Sequence, residues 1–196
     1  MVNSRVDICN LALNSLGENQ ISSLDDLDDV SVICNLHYYP LLDEALRRHD
    51  WLFATMRQTL ADSADTNNTI YEYNYTLPED PYCLKVLKLL DENNVELDRE
   101  DYPYIIEGRT LYTDLEDAKV KYIGRVADVT DFDAAFALFF AEYMAWKLAY
   151  RITGDAQKEA MAEARQARAF DEARAHDLEE AVSLESTTSW TAPWGE

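Results

Sequence analysis

Residues 132–154 read FDAAFALFFAEYMAWKLAYRITG and constrain the chain more than any other stretch. Between Ala134 and Trp146 the only charge is Glu142, and Phe132, Phe136, Phe139, Tyr143, Trp146 and Tyr150 recur at steps of three and four. That spacing stacks large rings along one side of an α-helix. Leu138, Ala141, Ala145, Leu148 and Ile152 make most of the remaining surface apolar too, and a helix apolar nearly all round belongs at the centre of a core. A membrane span needs about 20 uninterrupted apolar residues; Asp131, Asp133, Lys147 and Arg151 close this run too early. The expectation is the central helix of a soluble domain without membrane contact. Thr130 or Asp131 would cap its start and Gly154 would stop it.

Three further helices are expected around it. Residues 4–17 put Val6, Cys9, Leu13 and Leu16 on one face, with Ser4-x-x-Asp7 as a capping box and Gly17 as the stop. Residues 30–48 carry a stripe of Val30, Ile33, Cys34, His37, Leu41 and Ala45, with Pro40 inside it. A proline there costs about 3 kcal/mol in a regular helix and predicts a kink or a split. The aspartates of residues 22–29 can cap this second helix. After Asp155, a fourth helix to about Leu184 would bury Ala160, Ala164, Ala167, Ala175, Leu178 and Val182. Met161 and Phe170 fall off that stripe, so Phe170 is a candidate contact with another subunit, or else folds back locally.

Between the helical parts the period changes to two. Tyr71, Tyr73 and Tyr75 alternate with Glu72 and Asn74, and apolar runs follow at residues 84–90, 95–98, 104–106, 111–113 and 119–125. Asn93-Asn94 and Gly108 mark turns. The fold class expected is α+β: a bundle of about four α-helices with an inserted β-rich lobe and an extended C-terminal arm. Its parts are residues 1–60, the lobe 61–129, the helices of 130–184 and the arm 185–196. The arm has no periodicity but holds Trp190 and Trp194. Rings of that kind are common anchors at interface centres.

Thirty-eight acidic residues against 17 basic ones give −21. The excess is spread along the chain, with −5 over residues 1–60, −9 over 61–130, −1 over 131–154 and −6 over 155–196. Free nucleic acid would be repelled, because backbone binding replaces counterions with lysine and arginine. Proteins with basic patches remain possible partners. Cys9, Cys34 and Cys83 are odd in number and imply no disulfide framework, and the stretch from Met1 lacks the basic and apolar regions of an export signal, so none is expected. Both features suit a reducing cytosol.

A search for chemistry finds little. Cys34-x-x-His37 has metal-like spacing with Cys9 possibly nearby, but these residues lie on apolar faces and a structural zinc site takes four ligands. No phosphate-binding loop or nucleophile elbow occurs. Glu142 stands in an apolar helix, where a hydrogen bond or a route to the surface accounts for it better than catalysis. Tyr71, Tyr73 and Tyr75 could stack bases, but without basic neighbours they read as a sheet face. No cofactor and no metal is expected.

The first sixty residues carry a more specific pattern. Asn10-Leu-Ala-Leu-x-x-Leu-Gly-Glu18 is followed by Ile21-x-Ser23-Leu24-x-Asp26, Cys34 with Tyr38, Leu42-Asp-Glu-x-Leu-Arg47, and Trp51-x-Phe-Ala54-x-x-Arg57-x-x-Leu60. This resembles the head-to-tail adaptor, or tail tubular protein A, of short-tailed bacteriophages and related prophages. The likeness is in residues over 8–60 and in architecture beyond. It implies a non-enzymatic virion protein, made in the host cytoplasm, that forms a ring of twelve copies below the portal protein. Such a ring extends the DNA channel, lets genomic DNA pass without specific binding, and supports the tail or nozzle protein. In that family helical bundles pack side by side and C-terminal arms reach the portal; here residues 186–196 match the arm, and Ser189, Trp190, Pro193 and Trp194 are taken from the residues themselves as its portal-binding positions. The alternatives are a virion-associated cell-wall hydrolase and an acidic regulator imitating DNA.

Overall fold

The computed structural model describes residues 2–64 and 70–188. The chain is α+β and divides into two compact units. One comprises residues up to 45, 51–53 and 127 onward; the other comprises 46–50 and 54–126.

The helical unit contains α1 (Arg5–Leu16), most of α2 (Asp29–Arg47), α3 (Ala134–Thr153) and α4 (Ala156–Thr188). In α1 the Asp7 N–H donates to Ser4 Oγ at 3.2 Å, and the Asp7 carboxylate accepts from the Asn3 N–H at 3.0 Å. The capping box therefore closes one residue earlier than the pattern suggested. Gly17, at φ +74, ends the helix; its N–H and that of Glu18 reach Asn14 O and Leu13 O. Asp28 caps α2 through the N–H groups of Val30 and Ser31.

The split expected at Pro40 does not occur: α2 runs through it as one helix. Pro40 lies on the exposed side, where water can take the carbonyl left without its N–H partner. Burial of Tyr38, Leu41, Leu42 and Ala45 on the opposite side holds the helix together.

α3 is the centre of its unit and packs against α1 and α4. Its cap is Asp133, whose carboxylate accepts from Ala135 N and Phe136 N at 2.9 and 3.1 Å. Thr130 and Asp131 instead belong to a preceding 3₁₀ turn begun by Asp128. Gly154, at φ +67, terminates α3 as expected. Trp51 is the hub of the aromatic core, with Phe53, Phe136, Phe139 and Phe170 ring centroids 5.1–6.3 Å away. Tyr38 brings α2 in against Phe140 at 5.4 Å.

α4 departs from expectation twice. It is helical through Thr188, so residues 185–188 are not extended. Its inward face holds the buried Ala162, Gln166 and Ala173 and the partly buried Phe170, whereas Ala160, Ala164, Ala167, Ala175, Leu178 and Val182 are exposed. Alanines occur on every side of this helix, so their period selects no face. Its longer side chains decide. Phe170 meets Trp51 and Phe139, and the Asp177 carboxylate accepts the Leu52 N–H at 2.8 Å.

The β unit holds two antiparallel four-stranded sheets. One contains β1 (Thr55–Thr59), β8 (Lys119–Gly124), β4 (Cys83–Leu90) and β5 (Glu96–Leu97) in that order. The other contains β2 (Ala61–Asp62), β3 (Tyr73–Thr76), β7 (Thr110–Thr113) and β6 (Tyr104–Glu107). Tyr75, Leu111 and Tyr104 from one sheet and Leu89, Val120 and Tyr122 from the other share a single core. The lobe's first strand is thus β1, ahead of the boundary at residue 61. It pairs along its whole length with the last strand, β8, so the lobe closes on itself. Gly108, at φ +60, opens the two-residue turn between β6 and β7. Arg109 beside it donates to Cys83 O, Leu77 O and Pro78 O and lies 4.0 Å over the Tyr82 ring.

The acidity has one local exception. β1, β4 and β8 carry five cations and no carboxylate. Arg57, Lys121 and Lys88 stand opposite one another across the three strands. Like charges in register repel. Glu96 answers Lys121, and Asp98 lies 3.5 Å from Lys88.

Candidate functional site

The arm residues Ser189, Trp190, Pro193 and Trp194 lie outside the described residues. Phe170 has ring partners within its own chain at 5.1 and 6.1 Å. Its position therefore requires no second subunit.

Glu142 is the acid that α3 carries into the bundle, and it has two partners that the sequence did not reveal. Ser15 Oγ of α1 lies 2.9 Å from both carboxylate oxygens. Arg165 of α4 donates through Nε to Glu142 Oε2 and to Ser15 Oγ, each at 3.1 Å, and through Nη2 to Ser15 O at 3.0 Å. One guanidinium thereby fastens three helices. Beside it, Lys158 pairs with Glu18 at 3.0 Å. The serine hydroxyl donates to a carboxylate and accepts from a cation, with no imidazole to take its proton. This arrangement orients helices; it offers no activated nucleophile.

Cys9 and Cys34 meet between α1 and α2, both buried. The hydrogen bond with Cys34, reinforced by burial, pushes the Cys9 thiol above its ordinary value; burial likewise raises Cys83. Among the described residues no cluster of three or more His, Cys, Asp or Glu is placed to hold a metal ion. Nor is any described helix long and apolar enough to cross a membrane. Tyr73 and Tyr75 stack at 6.4 Å on the β3 side of their sheet, and Tyr75 donates to Leu115 O at 3.0 Å, a structural use of the pair.

Tyr38 is a buried exception to good hydrogen bonding. Its hydroxyl has no partner among the described residues, and burial raises its pKa above the ordinary value. An unsatisfied buried hydroxyl costs about 1–3 kcal/mol. Tyr38→Phe keeps the contact with Phe140 and is expected to stabilise the protein by about 1 kcal/mol, read from the urea midpoint at unchanged m. A loss of stability would show that the hydroxyl has a use.

Each segment of the pattern from Asn10 to Leu60 contains residues with an identifiable structural task. Asn10 brackets Ile21, donating to its O at 3.0 Å and accepting from its N at 2.8 Å, which ties down the turn after α1. Asp26 accepts from Ser23 N at 3.1 Å. Leu24, Cys34, Tyr38, Leu42, Leu46, Trp51, Ala54 and Leu60 are buried, and Arg47 donates to Leu84 O at 2.7 Å.

Two apolar surfaces are exposed: one has no counterpart in the sequence reading, and the other is the α4 stripe that was expected to face inward. Val32, Leu36 (67% exposed) and Tyr39 are exposed along the outer side of α2, and Leu27 (95%) is exposed in the loop before it. Leu24, Leu27, Val32 and Leu36 line a groove of about 540 Å³ edged by Asp25, Asp26 and Asn35. The second surface is the outer side of α4, where Met161, Leu178 (48%) and Val182 (66%) accompany exposed alanines. The signal for the first was present: Val32, Leu36 and Tyr39 recur at steps of four and three, opposite the residues that were assigned inward.

No protein-family model matches the chain, and no curated protein matches it. The fold class is nevertheless defined: an α+β protein whose helical unit is interrupted by a two-sheet β lobe.

Proposed function

We propose that the chain is a structural virion protein, a head-to-tail adaptor. It assembles as a ring below the portal, prolongs the DNA channel and receives the tail or nozzle protein. The observation that carries this reading is the pattern from Asn10 to Leu60, whose segments contribute buried residues and backbone ties rather than an assembled reactive centre. A pattern built to hold a shape suits a building block.

Charge supports the same reading. Twelve copies at −21 would carry roughly −250 before counterions. A wall of that sign holds the phosphate backbone weakly, so DNA can slide. Repulsion between copies opposes assembly, which suits a chain that is monomeric alone and closes into a ring on the portal as template.

The test is to mix the protein with the portal of the same phage or prophage and view the product by negative-stain microscopy. A second ring stacked on the portal is expected. A portal that stays bare, or a salt-independent dodecamer of the protein alone, overturns respectively the adaptor and the template step. Since α4 extends through Thr188, the arm is tested by removing residues 189–196 or by Trp190→Ala with Trp194→Ala. Docking should weaken while helical circular dichroism is kept. Unchanged docking would remove the arm from the account.

A further inference from the structure

We propose that Cys9 and Cys34 are a latent disulfide that staples α1 to α2, formed by peroxide and undone by thiols. Two contacts set the register of these helices. The Arg5 guanidinium lies 5.9 Å from the Tyr38 ring centroid, and Cys9 shares a hydrogen bond with Cys34. Four residues forward in α1 match four residues back in α2, so the helices run antiparallel with the two contacts one turn apart. That register sets the cysteines opposite each other across the seam. Both are free thiols, 25 positions apart in sequence.

The pair has a donor and an acceptor. The Cys9 S–H donates to Cys34 Sγ, which raises Cys9 and lowers Cys34. Cys34 is therefore the sulfur that ionises first, and the thiolate is the form that attacks. The site also selects its oxidant. Cys9 and Cys34 are 0% and 1% exposed, in a chain that carries −21. Size and charge both exclude a bulky anionic disulfide, whereas hydrogen peroxide is neutral and close to water in size. Local opening of α1 admits it. The unpartnered Tyr38 hydroxyl, one turn after Cys34, costs this seam stability, and a helix of 12 residues is marginal once its packing opens.

The chemistry balances within the pair and one peroxide. The Cys34 thiolate attacks a peroxide oxygen and the O–O bond breaks. Cys34 becomes a sulfenic acid, and the departing hydroxide takes up the proton that Cys34 had released, giving water. Cys9 Sγ then loses its proton and attacks Cys34 Sγ; the S–O bond breaks and a second water leaves. Two thiols have given up two electrons and two protons, and the peroxide has become two waters. In a reducing cytosol the pair stays as thiols. The staple forms where the chain meets peroxide without reductant. On the adaptor reading that is after the virion leaves its host, the one point at which the proposal rests on that reading.

The test treats the purified full chain with hydrogen peroxide, blocks the remaining thiols with N-ethylmaleimide in denaturant, and digests it without reductant. Cleavage after Glu18 puts Cys9 and Cys34 on separate peptides, so the staple joins them until dithiothreitol is added. The joined peptides are expected as the main product, with Cys83 recovered as its maleimide adduct. Closing a loop of this length should lower the unfolding equilibrium constant on the order of a hundredfold. That is read as a higher urea midpoint, reversed by dithiothreitol and absent from Cys34→Ala. The peptide map needs no variant, so it decides even if Cys34→Ala does not fold. Cys9 and Cys34 recovered as maleimide adducts, over-oxidised separately or linked between chains overturns the staple, as does a midpoint that does not rise. No portal takes part. A staple that fails to form therefore leaves the adaptor reading standing, and a bare portal in the docking experiment leaves the staple standing.

Discussion

Trp51→Ala will remove about 4 kcal/mol from the stability of the helical unit. Trp51 is buried, touches four phenylalanine rings and donates its indole N–H to Ala45 O at 3.2 Å. Truncation loses the transfer free energy of the ring and leaves a cavity that its aromatic neighbours can only partly fill. It also orphans the Ala45 carbonyl. Domains of this size are stable by about 5–15 kcal/mol, so one substitution consumes much of the margin. Phe170 loses a ring partner too, so the α4 contact should loosen with the core. Urea unfolding followed at 222 nm should show a large fall in midpoint, with Trp51→Phe intermediate. A change below about 1 kcal/mol would mean that the ring is not the hub of this unit.

The helical half was legible because its signals are local and large. The ring spacing of 132–154, Gly17 and Gly154 as stops, and Asp155 as a cap each depend on a few adjacent residues. Cap positions moved by two or three residues because Thr130, Asp131 and Asp133 are all competent and packing chooses among them. The β lobe was legible as strands but not as sheets: β1 and β8 pair across more than sixty residues, and no short window records that.

The α4 face was misread for a different reason. Alanine period carries little energy, since each methyl buries little area, whereas Phe170 and Asp177 had partners on distant segments. The stripe that periodicity picked out is real, but it faces outward. That makes it uninformative about the core. Glu142 was recognised as unusual; its partners, 127 and 23 residues away, were beyond any local pattern.

Arg165→Ala should cost about 2 kcal/mol, the largest effect expected from any polar side chain of the bundle. Breaking a fully buried pair costs about 3–5 kcal/mol. Here the side chains of Arg165 and Glu142 are 28% and 26% exposed, so water screens part of the loss. What remains is a carboxylate facing Ser15 alone and a Ser15 carbonyl without its donor at the end of α1. Arg165→Lys separates charge from shape. A lysine keeps the cation, but one ammonium cannot reproduce the planar fork that reaches Glu142 Oε2, Ser15 Oγ and Ser15 O together. It should recover less than half of the loss. Adding Glu142→Leu to an Arg165→Met background removes both charges, and that pair should lie within about 1 kcal/mol of the parent. The double-mutant cycle from urea unfolding then gives the coupling, expected near 1–1.5 kcal/mol. A coupling indistinguishable from zero would mean that the three helices are held by their apolar faces alone.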